Sequence, residues 1–540
     1  MREGFRQSMA WLHTWCGLTC GWLLCAIFLT GTLSVFRDPI TSWMQARPTL
    51  PGAATHASLP QAQLVPRALA HLRQQAAQAT LWRISLPVHL GDTLDVVWRG
   101  PAGAGQATLS PITGEVLPTP WGRQTEGGRH FMSFHYTLQG GIPGYWLVGW
   151  VSMCGLIAFV SGVVVHKRIF LDFFTFRPGK GQRSWLDAHN ATAVLTLPFL
   201  LMIVYTGLAY FSTSYLSAPL HALYGQDEDA YARYEAALSP AAAVPAAQPT
   251  QHERMQTYLP DLVQRAAALN GQPAQTLVIQ RPDQPGGTLR VIARVADTAH
   301  SRQLLNPPAS VVFDTGSGAL LERHAVAAHT PLQAADVDAT IKTLHVAGFG
   351  GWTAKWLYFV CGLAGTAMIA TGTVLFTVKR RRRSEQEFGA ATAGIYRVVE
   401  ACNVAALAGT ALACIAYFYA NRLLPTELEA RAQTEIRVFL WVWAGTLLHG
   451  LLRPPLRAWA EQLGSAAALC IGLPLLNAAS TGQHLRRYLL DGDLQRAAVE
   501  LTAVGFGVSF AYAAYRVQQR ISAPPPVRAA RRTPAAEPDA

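Results

Sequence analysis

Charge is what this chain has least of. Only 14% of its 540 residues are Asp, Glu, Lys or Arg while half are hydrophobic, against about 25% charged residues in ordinary soluble domains. That balance excludes a wholly water-soluble chain, and several runs approach the roughly 20 apolar residues that cross a bilayer. Cysteine is scarce where it would matter for disulfides. All eight (Cys16, Cys20, Cys25, Cys154, Cys361, Cys402, Cys414 and Cys470) fall within or beside apolar runs, so the two long polar segments have no disulfide framework. Cys16 and Cys20, one helical turn apart near His13, fit either a soft-metal site or small apolar packing residues. No HExxH and no GxSxG occurs, which argues against zinc or serine hydrolysis, and no GxGxxG, so no built-in nucleotide domain is indicated. The first apolar run is followed by no small-residue cleavage site and reads as a retained anchor.

The positive excess, 44 Lys and Arg against 32 Asp and Glu for a net +12, is placed against a nucleic-acid role. It sits at Lys167-Arg168, Arg177 to Arg183, Lys379 to Arg383, Arg453 and Arg457, and Arg516 to Arg532. Each cluster borders an apolar run, on alternate sides of successive runs. This positive-inside pattern predicts a multi-pass membrane protein with both termini cytoplasmic.

In chain order, residues 1–36 hold span one, 37–144 a first periplasmic module, and 145–211 spans two and three around a basic cytoplasmic loop. Residues 212–344 hold a second module, 345–385 span four, 386–520 four weaker spans near 395–420, 436–452, 463–480 and 498–516, and 521–540 a disordered tail. Each module predicts a helix, near Gln61 to Ala77 and near Gln256 to Leu269, followed by a small antiparallel sheet. The strands are TLWRISL, DTLDVVW and QATLSPITGEVL in the first, and TLVIQR, TLRVIARV and SVVFDTGSGALLER in the second. The Asp314-Thr315-Gly316 turn is expected to match Pro111-Ile112-Thr113-Gly114, and the Ala/Pro-rich stretch Leu238 to Thr250 reads as a linker. The fold class is mainly α, about eight membrane helices with a duplicated four-helix core and two small α+β modules.

The duplication extends to chemistry. His13 precedes Thr30-Gly31 by the 18 residues that separate His189 from Thr206-Gly207, and His135 precedes Ser161-Gly162 by the 27 that separate His345 from Thr371-Gly372. With alternating span directions, His13 and His189 share the cytoplasmic depth, and His135 and His345 the periplasmic one. Facing imidazoles from two helices suit the two axial positions of a b-type haem; without CxxCH, covalent attachment is not indicated. Eighteen residues is five helical turns, roughly 27 Å. Gly31 and Gly207 therefore fall level with the outer pair and Gly162 and Gly372 with the inner, either leaving room for a flat porphyrin or allowing close helix packing.

His166 has no histidine in the second repeat, where the same offset reaches Phe376. It is a reserve ligand for His13 or His189, or a helix-ending cation. Lys167, Arg168 and Arg183 could pair with haem propionates, although topology also explains them. The aromatic, glycine-rich segment Trp121 to Trp146 contains His130, Met132 and Tyr136, which read as a substrate-release site or as interfacial anchors. His449 reads as packing or hydrogen bonding.

The stretches WLHTWCGL…LTG, HKRIFLDFFTFRP…WLDAHN…YTGL and LH…G…K…GL…TG resemble the PepSY-associated transmembrane family over about residues 5–385. The modules resemble PepSY domains through SPITGE and DTGSGA. That family includes iron-regulated membrane proteins and ferric-siderophore reductases. The resemblance implies two b-type haems ligated by His13, His135, His189 and His345. It implies electrons passing from a quinol, a reduced flavin or a partner protein to a periplasmic ferric siderophore or other ferric chelate. The competing expectations are another haem oxidoreductase, an iron-chelate transporter or permease without redox chemistry, and a membrane-tethered module that inhibits a peptidase. Glu500 is the nearest thing to a transporter's buried carboxylate.

Overall fold

Eight helices of the computed structural model are long and apolar enough to cross a membrane: Gly4–Ser34, Gly141–Val165, Gln182–Tyr210, Gly351–Val378, Thr392–Leu423, Arg431–Leu452, Pro455–Thr481 and Leu494–Ser522, here spans one to eight. The structure describes residues 3–48, 50, 60–88, 92–166, 182–215, 217–227, 229–231, 233–234, 255–294, 309–324, 334–388 and 392–522. Most of the expected basic loop (167–181), the linker at 238–250 and residues 523–540 of the expected tail lie outside them. Spans one to four are apolar on every side, as a helix buried in lipid and protein must be. The helix of span four continues beyond its apolar part, through the run of arginines, to Phe388. Span five contains a π turn at Ala405–Gly409. The protein is thus a mainly α, multi-pass membrane protein.

The outer histidines do not open spans two and four. His135 closes a separate short helix, Arg129–Thr137, and His345 closes another, Ala334–His345. Left-handed residues break each from the span that follows: Leu138, Gln139 and Gly141 in the first repeat, Ala347, Gly350 and Gly351 in the second. Glycine makes such a reversal cheap. The 27-residue spacing therefore measures a short helix, a break and most of a span rather than one continuous helix.

The extramembrane segments, expected as two small sheets, form one. Its order is β4-β3-β2-β1-β5-β6-β7-β8. The first segment supplies β1 (Leu81–Ser85), β2 (Leu94–Gly100), β3 (Gly103–Leu109) and β4 (Val116–Leu117). The second supplies β5 (Ala274–Gln280), β6 (Thr288–Ala293), β7 (Ser310–Asp314) and β8 (Leu320–His324). Antiparallel pairing of β1 with β5, Arg83 opposite Val278, joins the halves. Alternation decides the buried face: Trp82, Ile84, Leu94, Val96, Leu277, Ile279, Leu289 and Val291 share a core with Leu64, Leu69 and Leu72 of the helix Gln61–Ala76 and Leu259, Val263 and Ala266 of the helix Met255–Asn270. Joining edges also removes two strand edges that would otherwise invite aggregation.

The repeated turn is shifted by two residues from its expected alignment. The N–H of Gly114 donates to Ser110 O at 2.8 Å and that of Gly318 to Asp314 O at 2.9 Å. Both glycines have positive φ. Gly318, not Gly316, is the structural counterpart of Gly114.

The chain divides into two compact units. One comprises residues 1–382 with Asn421–Ile436, and the other Arg383–Ala420 with Arg437–Ala540. The stretch between spans five and six, expected to belong with the last four spans, instead belongs with the sheet and spans one to four.

Candidate functional site

For spans one to four, the sheet end is where Ser34 and Tyr210 lead into the sheet segments, and the loop end is where Val165 and Gln182 flank residues 166–181. The structure brings the four repeated histidines together in two pairs, each joining the two repeats. At the loop end the rings of His13 and His189 have centroids 6.3 Å apart and planes at 66°. At the sheet end those of His135 and His345 are 6.1 Å apart at 29°.

Each ring is held by the same device. His13 Nδ1 lies 2.8 Å from Ala158 O, His135 Nδ1 2.8 Å from Ile27 O, His189 Nδ1 2.8 Å from Met368 O and His345 Nδ1 3.1 Å from Ile203 O. A carbonyl oxygen can only accept, so Nδ1 carries the proton and Nε2 is left as the basic nitrogen. In all four cases that carbonyl stands four residues before the repeated glycine: Gly162, Gly31, Gly372 and Gly207.

The glycines make room for the imidazoles. A Cβ on Gly31 would lie 2.5 Å from His135 Nδ1, and one on Gly207 2.8 Å from His345 Cε1. At the loop end the corresponding approaches are 3.0 Å for Gly162 to His13 and 3.1 Å for Gly372 to His189. At the sheet end, where the approach is under 3 Å, the ring could not reach its carbonyl past a larger side chain.

The residue before each glycine contributes too, a role that sequence reading missed. The hydroxyls of Thr30, Ser161, Thr206 and Thr371 donate to carbonyls three and four residues back, at 2.7–3.2 Å. The carbonyl three residues back is in each case the one that receives Nδ1–H. The Ser/Thr-Gly signal was visible in the sequence; that its hydroxyl and its glycine serve one carbonyl was not.

The surroundings of the pairs differ. At the loop end His166 lies 6.4 Å from His13, ring edge to face at 84°, and Arg6 reaches Val165 O at 2.9 Å. At the sheet end Tyr210 is 6.0 Å from His345, Lys342 stands 5.7 Å over Tyr210, and Tyr358 donates to Leu344 O at 2.7 Å, securing the end of the His345 helix. Burial lowers the pKa of His135, and burial with the nearby His135 takes His345 down to about 3; both imidazoles are neutral. Among the other candidates, His130 is buried beside Gln139, whose Nε2 lies 3.0 Å from His130 Nδ1. Met132 receives Arg37 at Sδ, 3.5 Å, and Tyr136 packs on Phe211. Arg183 is exposed, while Lys167 and Arg168 lie outside the described residues. Among the described residues no group of three or more His, Cys, Asp or Glu is disposed to hold a metal ion.

The model of the PepSY-associated TM region family matches residues 10–379, a stretch containing all four histidines and both halves of the sheet. The chain belongs to this PepSY-associated family. An uncharacterized protein of Pseudomonas aeruginosa is similar to it, 25% identical over 412 residues that cover 73% of this chain and 95% of that protein. The family match thus ends just before span five, and it sets the paired histidines inside the shared region.

In the last four spans, His449 contacts Glu461 Oε2 at 2.9 Å, and Glu461 also pairs with Arg453. Glu500 is buried and accepts from Asn477 Nδ2 at 2.7 Å. Neither repeats the carbonyl-anchored arrangement.

Proposed function

We propose that this membrane protein carries two b-type haems, one between His13 and His189 and one between His135 and His345, and uses them to reduce a ferric chelate on the sheet side. One observation carries the reading: four imidazoles, in two pairs, each with Nδ1 committed to a carbonyl and Nε2 available. Imidazole–metal distances of about 2.0–2.1 Å would put two rings on opposite sides of one metal with centroids about 6.3–6.5 Å apart. The separations of 6.3 and 6.1 Å lie at and just under that span. An Nδ1–H donated to a backbone carbonyl is the outer-shell contact that fixes tautomer and ring orientation in histidine ligands.

Haem supplies one-electron exchange at its iron, and its potential responds to axial ligand, hydrogen bonding and burial. This chain's residues would set those conditions. The carbonyls of Ala158, Ile27, Met368 and Ile203 hold each imidazole, and Gly162, Gly31, Gly372 and Gly207 let it approach. The positive-inside distribution of Lys and Arg supports an orientation with the sheet outside an inner membrane, so the donor, a quinol, a flavin or a protein, would act at the loop end. Reduction would release iron because Fe(II) is a softer, weaker partner for hard oxygen ligands than Fe(III).

The test is a reduced-minus-oxidised visible spectrum with pyridine haemochrome quantification on detergent-purified protein, wild type beside His189→Ala and His345→Ala. About two haems per chain, with one lost in each variant, is the expected result. A colourless protein from haem-replete cells would overturn the reading. The buried Glu500–Asn477 contact of spans seven and eight would then favour the second reading, iron-chelate transport without redox chemistry.

A further inference from the structure

We propose that the hairpin between spans five and six is a positioning element for His135. The hairpin, Asn421–Ile436, lies beyond the family match at residues 10–379 yet groups with the sheet and the first four spans. Among the described residues it carries more buried charge than any other part of that unit. Arg431 and Glu435 form an ion pair with both side chains fully buried, and Arg422 is buried beside them. Lipid anchoring or solubility would call for none of this, because a desolvated ion pair persists only where many hydrogen bonds hold it.

Those bonds go to two short segments. Arg422 donates to Trp43 O at 2.6 Å and to Met44 O at 3.0 Å, its guanidinium 3.8 Å over the Trp43 ring. Trp43 and Met44 belong to the helix Arg37–Gln45, which follows span one directly. Arg431 donates to Gln124 O at 2.7 Å, and Thr125 Oγ1 donates to Glu435 Oε2 at 2.5 Å. Asn421 Nδ2 completes the carboxylate's set at 2.7 Å, and Arg123 returns a bond to Asn421 O at 3.2 Å.

Both segments lead straight to the sheet-end pair. Residues 121–125 run into the His135 helix through Gly127 and Gly128, whose backbone N–H groups bond to Thr125 Oγ1 and Thr41 Oγ1, each at 3.0 Å. The other segment continues span one, which supplies Ile27 O and Gly31 to His135. The hairpin therefore grips the chain just before the ligand helix and just after the helix that anchors the ligand. His13 and His189 sit on long continuous helices at the other end and, among the described residues, have no such brace. Thr125, Arg431 and Glu435 are positioning residues, acting through the Arg129–Thr137 helix.

The test compares Thr125→Val, and the double variant Arg431→Met with Glu435→Met, with wild type by two readouts. Amide hydrogen exchange reads positioning directly and needs no cofactor. Residues 129–137 should exchange about tenfold faster in both variants, with residues 189–207 unchanged. Redox-titrated visible spectra give the second readout, which rests on the haem reading: only the component that His345→Ala removes should shift. Unchanged exchange at 129–137 in both variants overturns the proposal, and so does acceleration spread evenly over all spans. A colourless wild type with selective acceleration at 129–137 would sustain the brace and overturn the haem reading alone.

Discussion

The two ends of the four-helix core solve one problem in different ways. At the loop end, His13 and His189 are residues of long spans, and the spans' own rigidity aims them. At the sheet end, His135 and His345 ride on short helices broken from the following spans at Leu138 and Ala347. A short helix has little stability of its own, so the sheet end needs more from its neighbours. It gets tighter packing, Gly31 and Gly207 approaching their rings more closely than Gly162 and Gly372 do, and further hydrogen bonds such as Tyr358 to Leu344 O. The same carbonyl-anchored imidazole can thus be delivered by a continuous helix or by a braced fragment, and the fragment can be adjusted from the sheet side.

The largest expected effect separates the ends outright. His135→Ala should remove the sheet-end haem and leave the loop-end one, and His13→Ala the reverse, read as haem per chain and as the surviving spectral component. Loss of both from either single variant would show that the pairs are one cooperative unit. Next come the glycines. Gly31→Ala forces a methyl onto His135 and should lower stability by about 1–3 kcal/mol with loss of the sheet-end component, whereas Gly162→Ala should be tolerated at under about 1 kcal/mol. Equal melting temperatures for the two variants would erase the packing difference.

Acid should weaken the sheet end through His130. Burial holds its folded-state pKa near 3, far below the unfolded value. Between about pH 6.5 and 3 the unfolded chain therefore takes up a proton that the folded one refuses, and stability falls as pH falls. His130→Gln should recover roughly 2 kcal/mol of that loss at pH 4.5 and nothing at pH 8, measured as the gap in melting temperature. A gap independent of pH would show that His130 acts by packing alone. The smallest effect is at the loop end: His166→Phe, the residue that the second repeat has there, should keep the full haem complement. Loss of the loop-end component would make His166 a ligand in place of His13 or His189.

Much of this was legible in the chain. The eight apolar runs, the strands of both modules and the two histidine spacings are local or periodic signals, and helix rise set Gly31 and Gly207 level with the histidine pair for which they make room. The family resemblance carried by WLHTWCGL and WLDAHN reached the same region that the family model matches, 10–379. Other features were out of reach. The breaks at Leu138 and Ala347 disguise two helices as one, because a left-handed residue leaves little trace in a hydrophobic pattern. Gly316 lies nearer to Asp314 in the chain than Gly318 does, but only hydrogen bonding shows which glycine closes the turn.

By itself, the sequence determined that this is a multi-pass membrane protein of duplicated design, with histidines at matched depths. Composition and period act along one chain segment at a time, and those properties need nothing more. Tertiary structure alone decided which carbonyl takes each Nδ1 proton, that β1 and β5 fuse the modules into one sheet, and that Arg431 and Glu435 reach Gln124 and Thr125. These are meetings between segments hundreds of residues apart, chosen by packing and by the need of every buried polar group for a partner.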